Sequence, residues 1–177
     1  MTFHGVTPEL CKQAFDLILP AVKQTCESGT ANRYAGTFVV LSPLARTAAA
    51  TWAAEALKAG YLHELPVETI MFEAQIGTPE ANAEADFQAW ARGKALVSLL
   101  TGLPSARVQQ HYPHLYLPGL ILWDGSTVRD GLVVAFSGAE GWFDEMFSEW
   151  LASAIVGLCR HAVHKPGGAL SQGPWVP

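Results

Sequence analysis

The chain has 177 residues, a formal net charge of −5, and a composition that is 50% hydrophobic and 15% charged. That length can bury roughly two thirds of the unfolded surface, so a single domain needs no disulfide or metal staple. The acidic balance, with no cluster of Lys or Arg, argues against nucleic-acid and anionic-membrane partners, which concentrated positive charge would have to hold. So apolar a composition leaves too little polar surface to cover a monomer, and it predicts a homo-oligomer. Cys11, Cys26 and Cys159 are odd in number and widely spaced, which fits buried reduced thiols better than a disulfide framework or a metal site. No window approaches about 18 consecutive apolar residues, the length of a membrane span. Met-Thr-Phe-His-Gly at the start lacks the basic-then-apolar pattern of a secretory signal, so the expected location is cytoplasmic.

In chain order, Thr7-Pro8 pairs an N-cap with proline at the first helical position. It opens a helix with Leu10, Ala14, Leu17, Ile18, Ala21 and Val22 on one stripe and Gly29 at its end. Gly36 to Leu41 is rich in β-branched and aromatic residues and reads as a buried strand closed by Pro43. Alanine-rich Arg46 to Ala59 predicts a second helix. Val67 to Ala74 reads as a strand. Thr78-Pro79-Glu80 repeats the cap-plus-proline signal and predicts a third helix to about Leu100, ended by Gly102.

Further on, Gly119 to Trp123 and Val128 to Ser137, joined by Asp124-Gly125, predict a β-hairpin, because Asp-Gly supplies the positive φ of a tight turn. A last helix carries Phe143, Phe147, Trp150, Leu151, Ala154 and Leu158 at helical spacing. The Pro- and Gly-rich tail, 166–177, is expected to be irregular, with Trp175 available to dock it. No repeat or long linker divides the chain, so residues 1–177 are expected to form one α+β domain.

Three landmarks carry a resemblance: Lys94-Ala95 on the third helix, the extended stretch Pro118 to Trp123, and Val133 to Gly138 ending in Ser-Gly before Asp144-Glu145. In their order and spacing they resemble the GlcG/HbpS-like haem-binding and haem-degrading family, which is related to the C-terminal domain of PduO. The match covers Phe87 to Ile155 well and Thr7 to Leu41 more loosely. The resemblance implies a profilin-like fold, an antiparallel sheet packed with helices. It also implies an oligomer and a cleft for haem, a corrinoid-related partner or a small organic acid.

The chain departs from that family in places. Val39-Val40 runs into Leu41-Ser42-Pro43, where the family has an acid and then glycines. Pro118-Gly119 keeps one glycine of the usual pair. The two glycines that interrupt the strand before Ser137-Gly138 fall here on Gly131 or Leu132, depending on a one-residue gap, and on Ala135. The helix at Arg46 to Ala59 resembles an insertion. Side chains in place of glycines reshape a cleft, so the ligand is expected to differ.

Lys94 is the first candidate for chemistry. It falls on an apolar stripe with Phe87, Trp90, Ala91 and Val97, and a buried lysine is costly unless paired. There it can neutralise a carboxylate or propionate or act as a base; alternatively it snorkels at a subunit rim over Trp90. His111, Tyr112, His114 and Tyr116 concentrate iron-ligating and proton-transferring groups just before the expected hairpin; as plain surface residues of a polar loop they would need no function. Asp144 and Glu145 sit in a helix first turn, where acids are favoured anyway, and Ser137 precedes them at the family's Ser-Gly. His161 and His164 suit the end of the last helix through its dipole.

Phosphate-loop, dinucleotide-binding, nucleophile-elbow, zinc-protease and haem-attachment motifs are absent from the sequence. The expected function is small-molecule binding in a cleft between the hairpin and the third helix, with haem as the cofactor the resemblance implies. Lys94, His111 and His114 are the candidates for chemistry, and Tyr112, Tyr116, Trp90, Asp144 and Ser137 the candidates for ligand contact. The alternative is a cofactor-free isomerase, lyase or cyclase using the same residues as acid and base.

Overall fold

The computed structural model describes residues 5–31, 33–43, 45, 65–83 and 85–165; the helix expected at Arg46 to Ala59 and the tail 166–177 lie outside them. Helix α1 (Pro8–Glu27) starts where its signal places it, with the Thr7 hydroxyl accepting the Leu10 N–H at 3.2 Å. Its buried face is Cys11, Ala14, Phe15, Ile18, Val22 and Cys26. Leu17 is 61% exposed and Ala21 faces solvent, so the expected stripe is rotated toward Phe15, whose ring meets Phe38 edge-on at 5.7 Å.

Four strands form one antiparallel sheet in the order β2-β1-β4-β3: β1 (Gly36–Leu41), β2 (Ile70–Ile76), β3 (Ser126–Arg129) and β4 (Leu132–Ser137). Both inner strands are buried at every residue, because helices cover both faces. On one face Phe38, Val40, Val134 and Phe136 pack against α1 and the long helix α5 (Gly141–His164) through Phe147, Leu151 and Ile155. On the other, Val39, Leu41, Val133 and Ala135 meet Ala91, Ala95 and Leu99 of α3 (Phe87–Thr101) and Val108 of α4 (Ser105–His111). The result is an α+β architecture, with an antiparallel sheet between two helical layers.

Three expectations are corrected. The helix from Thr78 to Leu100 is two helices, α2 (Pro79–Ala83) and α3, because the Asp86 carboxylate accepts the Ala89 N–H at 2.9 Å and restarts the helix as an N-cap. Asp86→Ala should therefore cost about 1 kcal/mol of stability, seen as a lower urea midpoint with unchanged slope. Val67–Thr69 is a 3₁₀ turn, and β2 begins only at Ile70.

The hairpin turn is Asp130-Gly131, not Asp124-Gly125. Asp130 and Gly131 have φ of 52° and 85°, the positive pair that a two-residue hairpin needs. Residues 119–123 form no strand; the Leu122 carbonyl there accepts instead from Gln109 Nε2 at 2.9 Å. The three cysteines are free and buried, and burial pushes the Cys11 thiol up to about 12, which keeps it protonated and unreactive. Among the described residues no helix is long and apolar enough to cross a membrane.

Candidate binding cleft

Lys94 projects from α3 and Asp144 from the first turn of α5, on opposite layers, yet their side chains meet. Lys94 Nζ lies 2.5 Å from Asp144 Oδ2 and donates a second, longer bond of 3.3 Å to the Phe136 carbonyl. Asp144 Oδ1 accepts the Ala139 N–H at 2.8 Å. The two residues are 2% and 1% exposed, so the pair is desolvated. Burial pushes the Asp144 carboxyl up to about 6, outweighing Lys94 and the Ala139 N–H, which favour its charged form; nearby Asp124 adds to the rise.

The sequence folds this way locally because Gly125 leaves room. Its φ is 122°, and a Cβ there would stand 2.6 Å from Asp144 Cβ and 3.0 Å from Lys94 Nζ. A chain of serines fastens both helices to that turn: Ser126 Oγ donates to the Lys94 carbonyl at 2.8 Å, Ser148 Oγ to the Gly125 carbonyl at 2.9 Å, and the Ser126 N–H reaches Ser105 Oγ at 3.0 Å. Each of these bonds has a backbone group at one end, and Ser126 Oγ also meets Ser98 Oγ at 2.8 Å, so the turn is tied to the helices that carry Lys94 and Asp144.

The pair lines a cleft of 460 Å³. Phe87, Trp90 and Trp123 form its apolar wall, with Trp90 and Trp123 edge to face at 4.9 Å and 88°, and Phe87 and Trp90 at 5.7 Å and 82°. Arg33 places its guanidinium carbon 5.6 Å from the Phe87 ring centre. Asp124 packs its carboxylate onto Gly141 so closely that a Cβ at Gly141 would lie 1.7 Å from Oδ1. A carboxylate there suits the positive end of the α5 dipole.

Of the residues expected to act together, Lys94, Trp90, Asp144 and Ser137 line this cleft. His111, Tyr112, His114 and Tyr116 do not. His111 ends α4 and His114 sits in the 3₁₀ turn Pro113–Leu115, both exposed, because Val108, Leu115 and Tyr116 are the residues of this stretch that face the core. Tyr112 is 36% exposed and its ring contacts those of both histidines. Tyr116 comes nearer: its buried hydroxyl has no hydrogen-bond partner among the described residues, and burial together with Asp124 raises its pKa. Glu145 is half-buried outside the lining, its pKa raised chiefly by burial.

Arg33, Phe87, Trp123 and Asp124 are cleft residues that sequence reasoning left out, since nothing local marks them. Among the described residues the cleft lining holds no His, Tyr, Cys or Met, the side chains that ligate haem iron, so that lining does not fit a ligated haem. No group of three His, Cys, Asp or Glu gathers for a metal among the described residues. No protein-family model, curated protein or solved structure matches this chain.

Proposed function

We propose that this chain is a small-molecule-binding protein, as its resemblance to the GlcG/HbpS-like family implies, with the ligand held between α3, the turn at Trp123-Asp124 and the start of α5. One observation carries the reading: a desolvated Lys94–Asp144 pair lines a cleft of about 460 Å³ walled by three aromatic rings. A buried ion pair adds little stability that an apolar pair would not. Its presence where an apolar pocket needs a few placed polar groups fits ligand recognition, and the volume falls within the usual range for such sites. The ligand in this proposal is organic and makes no iron bond, so haemin serves as a control.

Trp90 and Trp123 supply the readout. Titration with a library of small ring compounds and carboxylic acids should quench tryptophan emission saturably, and Trp123→Ala should weaken the best binder about tenfold or more, the worth of one lost aromatic wall. The reading falls if no compound shifts the emission, or if Trp123→Ala and Trp90→Ala both leave the affinity of every binder unchanged. A cofactor-free isomerase, lyase or cyclase is the second reading. It is favoured by the Asp144 carboxyl at about 6, close to where a general base works at neutral pH. Turnover of a binder, with a rate that rises through pH about 6 as Asp144 ionises, separates the enzyme from the binder.

A further inference from the structure

We infer that the cleft recognises a neutral, planar ring compound through a cyclic amide edge, the amide carbonyl accepting from Lys94 Nζ and the amide N–H donating to Asp144. The inference rests on the cleft being a ligand site and adds the chemical class of what it holds. The first argument is hydrogen-bond capacity. An ammonium has three N–H groups, and Lys94 spends two on Asp144 and the Phe136 carbonyl. Each carboxylate oxygen has two lone pairs, and the Asp144 oxygens spend one each, on Lys94 and on the Ala139 N–H. One N–H on Lys94 and one lone pair on each Asp144 oxygen therefore remain, and the free donor and the Oδ2 acceptor sit side by side on atoms 2.5 Å apart. A lactam carries its carbonyl oxygen and its N–H on one carbon, an adjacent acceptor and donor in the complementary order.

The second argument is shape. Trp90 and Trp123 meet at 88°, forming a corner in which a flat ring stacks on one indole and meets the other edge-on. The third is charge. Among the described residues Lys94 and Arg33 are the cations of the lining, against Asp124, Glu140 and Asp144. The first turn of α5, which would otherwise attract an anion, already faces Asp124 and contains Asp144. A carboxylate or phosphate would add negative charge to a lining with more acid than base, whereas a neutral ring with a polar edge adds none.

The test uses four probes by titration calorimetry on the whole chain: the bicyclic lactam carbostyril, its N-methyl derivative, the ring-matched acid quinaldate, and naphthalene-ring amides without a lactam. Carbostyril should bind, and N-methylation, which keeps the ring and carbonyl but removes the donor, should weaken it about tenfold or more, because Asp144 is left facing an apolar group. In Lys94→Met/Asp144→Leu, an apolar floor of similar volume, the preference for carbostyril over its N-methyl derivative should vanish while the ring still binds. Equal affinity of the two compounds for the native chain, or tighter binding of quinaldate, overturns the amide assignment and leaves the cleft standing as a ligand site. Failure of every ring compound to bind overturns both.

Discussion

Lys94→Met is expected to cost about 3–5 kcal/mol of stability at neutral pH, since it leaves the Asp144 carboxylate buried without its counter-ion. The pH dependence identifies the cause. In the native protein the Asp144 carboxyl is raised from 3.8 to about 6, so between those values the folded state binds more protons than the unfolded state. Stability from this group is therefore full below about pH 4 and falls as pH rises toward 6. Removing Lys94 removes the attraction that holds the carboxyl down, so the carboxyl rises further and the loss extends above pH 6.

Lys94→Met should thus be mild near pH 4, where the carboxyl is neutral, and severe at pH 8. Asp144→Asn should also be destabilising, with the slope between pH 4 and 6 removed because the titrating group is gone. The double variant Lys94→Met/Asp144→Leu should regain most of the loss, since an apolar pair of similar volume is often as stable as the ion pair it replaces. Urea midpoints of the three variants from pH 4 to 8 measure all of this. A penalty for Lys94→Met that is flat across that range would show that Asp144 is not the group it neutralises.

Gly125→Ala should lose about 3 kcal/mol or more, from two sources that add at one atom. Its φ of 122° lies where side-chain-bearing residues are strained by about 1–3 kcal/mol. The new methyl also lands 2.6 Å from Asp144 Cβ and 2.9 Å from the Phe136 carbonyl, an overpacking of about 1–3 kcal/mol. Gly131→Ala is the control: its φ is also positive, at 85°, but a Cβ there meets nothing within 4 Å, so the loss should stay near 1–2 kcal/mol. The comparison is made by thermal unfolding. If the two alanines cost the same, the space at Gly125 is not what seats the ion pair.

Much of the architecture was legible from local signals. Thr7-Pro8 placed the start of α1, and the β-branched run from Gly36 to Leu41 placed β1 with its burial, whereas Val128 to Ser137, read as one strand, holds the end of β3, the turn and β4. Helical spacing from Phe143 to Leu158 placed α5. Lys94 stood out because a lysine on an apolar stripe must find a partner or leave, and Asp144 because an acid follows the Ser-Gly landmark.

The rest depended on contacts between residues far apart in the chain. Two Asp-Gly pairs offered the same turn chemistry, and only the pairing of Val128 with Val133 and of Arg129 with Leu132 selected the second. Freed from the hairpin, the first became the turn on which the cleft rests. His111, Tyr112 and His114 had the right chemistry for a ligand site, but the core took Val108 and Leu115 from that stretch and left them at the surface. By itself, then, the sequence determined the periodicities, caps and strand interiors, because these follow from φ preferences and from apolar spacing within a few residues. Only the tertiary structure decided that Lys94 meets Asp144, 50 positions away, and that Arg33, Trp123 and Asp124 join them, because the order of strands and the crossing of helices bring such groups together without any local mark.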